Sequence, residues 1–187
     1  MILRKSFTMS KSFFIILFLL NNNITTKNCS DIEKSRIHFL YNEIKTLEND
    51  TKFDIKDLFQ IIIPEYILFS EKTDFFEKKV IKVYYYSGLD SFKKISIGPF
   101  QMNIDFIKNY YTKKKEYNEI IDGLDYYSSL KVQWKILNNY INQNLDLNHR
   151  QLINKYNSGS VNSEFEFTKF NNNKSYYEMS KTLCDCI

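Results

Sequence analysis

Glycine and proline are scarce in this chain: four glycines (Gly88, Gly98, Gly123, Gly159) and two prolines (Pro64, Pro99) among 187 residues. Where glycine is this rare, each one marks a backbone position that excludes a side chain. Both prolines stand beside candidate site residues, since Pro64 precedes Glu65 and Gly98-Pro99 leads into Phe100-Gln101. The strongest backbone punctuation therefore falls on two short segments, and the remainder has to be read from apolar spacing.

That spacing is helical almost throughout. Ser30-Asp31-Ile32-Glu33 reads as a capping box, followed by Ile37, Leu40, Ile44 and Leu47 on one face. Asp54 is positioned to cap a second helix through Leu58, Phe59, Ile62 and Ile63, with Pro64 interrupting the pattern. A third helix is predicted from Thr73 to Tyr86, with Phe76, Val80, Ile81 and Tyr84 inward and Gly88 as its stop. Periodicity fails between Gly88 and Met102, which reads as a loop with room for a short strand near 88–98. Helical spacing resumes from Ile104 to Tyr111. A charged turn (Lys113, Lys114, Lys115, Glu116) then leads into one long helix, Leu124 to Ile141, that contains Trp134. Asp146 or Asn148 can cap a last helix ending at Gly159, and the aromatic, Asn-rich tail carries no clear pattern. The fold class expected is mainly α.

Sixteen Phe and fourteen Tyr supply enough apolar surface for a folded core, which disordered chains lack. A net charge of +4, with Lys and Arg scattered among Asp and Glu, gives no basic block pointing to nucleic acid. At the N-terminus, Arg4, Lys5 and Lys11 precede an apolar run from Phe13 to Leu20. This fits an export signal and is too short to span a bilayer. The chain divides as 1–27, a signal peptide or uncleaved anchor; 28–50, a lead helix; and 51–187, the main domain. The expected location is the periplasm or cell envelope, or the secreted fraction, with membrane contact only through an uncleaved N-terminal segment. Cys29, Cys184 and Cys186 make no disulfide framework. Bridging Cys184 to Cys186 would close a strained ring, so any bond joins Cys29 to one of them. Two thiols with only His38 and His149 in the chain make a poor metal site, and no cofactor is expected.

Glu65 stands between Ile61-Ile62-Ile63 and Ile67-Leu68-Phe69. Apolar walls disfavour an ionised carboxyl, so its pKa should rise, as a proton donor to a glycosidic oxygen requires. On local sequence alone a solvated helix-end residue is the plainer reading.

Three segments occur in order: Pro64-Glu65, Ser96-Ile97-Gly98-Pro99-Phe100-Gln101-Met102, and Tyr156-Asn157-Ser158-Gly159. Together they resemble the lysozyme-like superfamily of soluble lytic transglycosylases and goose-type lysozymes. Its members carry a catalytic Glu at a helix end, a Gly-x-x-Gln segment and a Tyr-Asn-x-Gly segment. The resemblance covers Pro64 to Gly159 and implies a lysozyme-like helical domain that cleaves peptidoglycan glycan strands. It makes Glu65 the acid, and matches Gly98 and Gln101 to the middle segment and Tyr156, Asn157 and Gly159 to the last. On this reading Gly98 lets backbone approach the sugar and Gln101 bonds an N-acetyl or hydroxyl group. Tyr156 fixes the Glu65 carboxyl or supports the charged transition state and Asn157 holds the loop, while Phe100 and Tyr66 are candidates to stack on sugar faces. For Phe100, Met102 and Trp134 the alternative is core packing. The sequence departs from the family at Tyr66, where Ser is usual, and at Ile95-Ser96, where Gly-Ala is usual.

Most glycosidases use two carboxylates, roughly 5–10 Å apart. The family's transglycosylases use one, the substrate's 6-hydroxyl attacking to leave an anhydro end. Glu71, Asp74 and Asp90 are the available second acids, and surface charge is the default reading of all three. The expectation is therefore a lytic transglycosylase, ahead of a hydrolase. The rival is a catalytically silent lysozyme-like domain that binds glycan or an envelope protein; an unrelated helical surface protein stands third.

Overall fold

A computed structural model describes residues 29–111, 116–162 and 175–187 of the chain. Residues 1–27, expected from the sequence to be a signal peptide or anchor, Lys113 to Lys115 and most of the tail lie outside the described residues. The architecture is mainly helical: α1 (Asp31–Lys45), α2 (Ile55–Leu68), α3 (Glu71–Tyr86), a 3-10 turn (Asp90–Lys94), β1 (Ser96–Ile97), β2 (Met102–Asn103), α4 (Ile104–Tyr110), α5 (Tyr117–Asp122), α6 (Leu124–Tyr127), α7 (Leu130–Asn142), α8 (His149–Ser158) and α9 (Tyr176–Cys184). Among the described residues no helix is long and apolar enough to cross a membrane.

Local chemistry sets several ends. The Ser30 hydroxyl accepts from the Glu33 amide at 3.2 Å while the Glu33 carboxylate accepts from the Ser30 amide at 2.7 Å, and Ile37, Leu40 and Ile44 are buried behind this box. Asp54 caps α2 and Asn148 caps α8, the latter reciprocated by Gln151. Gly159 closes α8 at φ +80°, a left-handed position that costs glycine nothing.

Helix α2 is the axis of the fold, with α1, α8 and α9 packed around it. It runs through Pro64 to Leu68 rather than stopping there. A proline inside a helix costs about 3 kcal/mol, but Leu58, Phe59, Ile61, Ile62, Ile63 and Ile67 are all buried, at roughly 1.5–3 kcal/mol each. Tertiary burial wins. Beside the proline, the Tyr176 hydroxyl from α9 donates to the Ile61 carbonyl at 3.2 Å. The far end of α2 is held by Arg36 of α1, whose guanidinium donates to the carbonyls of Tyr66, Ile67 and Phe69 at 3.0–3.1 Å. A cation there also meets the negative end of the helix dipole.

Three expected features are corrected. The single helix from Leu124 to Ile141 is two helices, α6 and α7, separated at Ser128-Ser129. The Ser128 and Ser129 hydroxyls bond back to the Asp125 and Tyr126 carbonyls at 3.1 and 2.7 Å, competing with the helical ladder. On α3, Ile81 is buried as expected but Phe76 is 60% exposed, and the polar Asp74 faces inward in its place. The β element lies at 96–103, slightly beyond the expected stretch, as an antiparallel hairpin pairing Ser96 with Asn103 and Ile97 with Met102. Cys29 is bonded to Cys186, with Cα atoms 6.3 Å apart, so the entry to α1 is tied to the exit of α9. Cys184 is a free, buried thiol.

Candidate functional site

The hairpin turn Gly98–Gln101 is built from side chains of other helices. Gly98 (φ +73°) and Gln101 (φ +50°) both adopt left-handed backbone, and the Gln101 amide donates to the Gly98 carbonyl at 3.0 Å. The fully buried Gln133 of α7 spans the turn: its Nε2 donates to the Ile97 carbonyl at 2.7 Å and its Oε1 accepts from the Phe100 amide at 2.8 Å. From α3, Asp74 Oδ1 accepts the Gly98 amide at 2.6 Å, and its other oxygen pairs with Lys78 at 2.8 Å. Lys78 also bridges to Asp125 at 2.9 Å. Burial is the largest single influence on Lys78 and lowers its pKa, but the hydrogen bonds and charges of the two carboxylates together outweigh it and hold the ammonium above its usual value. A Cβ on Gly98 would lie 2.4 Å from Gln133 Nε2 and 2.8 Å from the Ser128 carbonyl oxygen. Only glycine fits.

The third segment docks on this turn. Tyr156, on the last turns of α8, donates its hydroxyl to the Phe100 carbonyl at 2.6 Å. Its ring packs against Phe106 and Tyr140 at centroid distances of 5.3 and 5.9 Å. Burial pushes the Tyr156 phenol well above its ordinary pKa, and the Glu65 charge pushes it further. Tyr176 is raised by the same two causes, burial first and Glu65 second. Glu65, on the last turn of α2 and half-buried, thus shares one electrostatic neighbourhood with a tyrosine from α8 and another from α9. Residues far apart in the chain are brought into one region: Glu65, the 98–101 turn and Tyr156.

Individual roles differ from those expected. Phe100 is 0% exposed, so it has no ring face to offer a sugar, and core packing accounts for it as for Met102 and Trp134. Tyr66 is half-buried, with the Arg36 guanidinium 5.4 Å from its ring centroid. The Tyr156 proton is committed to Phe100 and is not given to Glu65. The Gln101 side chain folds back, its Nε2 donating to the Gly98 carbonyl at 3.0 Å. The Gly98 amide faces Asp74 rather than an open face of the turn. Asn157 lies half-buried beside Tyr156, and its side chain makes no hydrogen bond to the turn among the described residues. Asp74 is no surface charge, being 7% exposed, while Glu71 and Asp90 are exposed. Among the described residues no cluster of His, Cys, Asp and Glu could hold a metal ion.

Comparison with family models, with curated proteins and with solved structures finds no match to this chain.

Gln133, Tyr176 and Arg36 were missed in the sequence. Gln133 had a signal: an amide flanked by Val132 and Trp134 on a helix whose neighbours are otherwise core. Asp74 and Lys78 had another, as an i,i+4 pair on a predicted helix. Tyr176 and Arg36 had none, because their partners lie 115 and 30–33 positions away.

Proposed function

We propose that this chain is an exported, peptidoglycan-cleaving glycosidase with a lysozyme-like domain, acting as a lytic transglycosylase with Glu65 as its acid. The observation that carries the reading is Tyr156. Its hydroxyl anchors the Phe100 carbonyl of the 98–101 turn, and its helix α8 packs on α2, the helix that carries Glu65, which supports reading the three segments as one site. Glu65 protonates the glycosidic oxygen as the bond to the departing sugar breaks. The substrate's 6-hydroxyl then closes on the anomeric carbon and returns its proton to the Glu65 carboxylate, leaving an anhydro end.

Single-acid chemistry is favoured over a two-carboxylate hydrolase by the state of two of the three candidate second acids. Asp74 is buried and occupied by Gly98 and Lys78, and Asp90 pairs with Lys93 at the surface. The Cys29–Cys186 bond supports export, since disulfides persist in oxidising compartments.

One observation favours the silent binding domain. Gln101 is turned inward onto its own loop, and Phe100 is buried, so two of the expected sugar contacts are not presented. Mass spectrometry of fragments released from purified peptidoglycan, by the chain and by Glu65→Gln, separates the readings. Anhydro-ended fragments from the wild type alone establish the transglycosylase. Reducing ends make it a hydrolase. Absence of products from a folded protein that still pellets with peptidoglycan establishes the binding domain.

A further inference from the structure

Among the described residues, the outer face of α3 concentrates exposed apolar side chains. Lys72, Phe75, Phe76, Lys79, Lys82, Val83 and Tyr86 are all exposed, at steps of three and one along the helix. With 3.6 residues per turn these positions fall within a stripe about 120° wide. The stripe holds three cations, four large apolar or aromatic side chains and no carboxylate. Tyr86 is 71% exposed and Phe76 60%, and Leu89 continues the apolar edge just past the helix. The acids bordering it are Glu71, in the first turn, and Asp125, which Lys78 already occupies. The charges of Lys82 and Lys79 also reach Asp125 and contribute to its lowered pKa behind that of Lys78.

We propose that this face of α3 is a docking surface for an anionic lipid membrane. A contiguous run of exposed apolar side chains on a folded domain is a mark of an interaction site. Aromatic and aliphatic side chains that enter the headgroup layer, with lysines that reach lipid phosphates, are the composition of an in-plane interfacial helix. Lys79 lies 5.2 Å over the Phe75 ring, so charge and apolar surface are interleaved as a headgroup layer requires. A glycan surface is less well matched. Phe75 and Phe76 meet edge to face at 77° and present no common stacking plane, and neither they nor Val83 can bond a hydroxyl. The inner face of α3 holds the hairpin turn through Asp74, so docking here would set the turn's height above the bilayer. The inference is independent of the chemistry proposed for Glu65.

The test is binding of the full chain to vesicles of phosphatidylcholine with and without roughly one quarter phosphatidylglycerol. The triple variant Lys72→Glu/Lys79→Glu/Lys82→Glu is compared with wild type, so the N-terminal apolar run is common to both and differences report α3. The expected result is a loss of about tenfold or more in partitioning onto the anionic vesicles, with thermal unfolding unchanged. A second protein, Phe76→para-cyanophenylalanine, should show its probe quenched by doxyl-labelled lipid. Equal partitioning of wild type and triple variant, or an unquenched probe on bound protein, overturns the proposal. Lysine-dependent pelleting with a purified anionic wall polymer, together with lysine-independent vesicle binding, also overturns it and makes the polymer the partner.

Discussion

The amide of Gly98 donates to the carboxylate of Asp74 across 2.6 Å, fastening the tip of the hairpin to helix α3. Because Gln133 and the Ser128 carbonyl crowd the other side of the same glycine, the turn has one permitted occupant. Gly98→Ala is expected to destabilise the protein by about 2–4 kcal/mol, from the close contacts and the left-handed φ together. Urea unfolding of the two proteins measures it, and a loss below about 0.5 kcal/mol would mean the turn relaxes freely.

Removing Gln133 leaves a buried acceptor at Ile97 and a buried donor at Phe100 without their partner. Gln133→Leu should cost about 2–4 kcal/mol, since each buried orphan costs about 1–3 kcal/mol and the leucine recovers part in packing. Gln133→Glu should cost more than the leucine change if the site stays dry, because a carboxylate cannot donate to the Ile97 carbonyl. The ranking of three denaturation midpoints decides it.

Arg36 closes the C-terminal end of α2 next to Glu65 through three carbonyls. Arg36→Ala should lower stability by about 1–3 kcal/mol, and Arg36→Lys should recover only part, since an ammonium lacks the planar fork. If the proposed chemistry is correct, both variants should lose turnover through movement of the Glu65 helix end. Unchanged turnover would show that Arg36 supports stability only.

The Cys29–Cys186 bond closes a loop spanning 157 positions. Chain-entropy arguments give about 5 kcal/mol for a loop this long, an upper figure. Reduction, or Cys29→Ser, should lower the unfolding midpoint and loosen α9, exposing the Cys184 thiol to alkylation. Peptide mapping under non-reducing conditions checks the pairing directly: a crosslink through Cys184 would refute it.

Tyrosines set the alkaline limit of stability. Burial, then the Asp105 hydrogen bond at 2.6 Å, raises Tyr117 to about 12, and the hydrogen bond to Tyr126, then burial, raises Tyr111 to about 12. Burial also raises Tyr156 and Tyr176 well above the ordinary value of 10.0. The native state therefore holds these protons more tightly than the unfolded chain does. Their contribution is fully present below pH 10 and is lost as pH rises from 10 towards 12. Tyrosinate absorbance should rise later in native than in urea-unfolded protein; coincident curves would contradict the structure.

What the sequence determined by itself was local. Ser30 with Glu33, Asp54, Asn148 with Gln151, and Gly159 each act within three or four residues, and apolar spacing fixed the inward face of α1. Hydrogen bonds of that reach depend on the residues that carry them and hardly on the rest of the fold. The order of Glu65, Gly98-Gln101 and Tyr156 was also legible, but not their hydrogen-bond partners. Tertiary packing decided that α2 continues through Pro64, because six buried side chains outweigh one lost hydrogen bond. It also turned Asp74 inward to the Gly98 amide, sank Phe100 into the core and chose Cys186 over Cys184 for Cys29. In each case the local sequence permits more than one outcome, and burial or a partner tens of residues away selects among them.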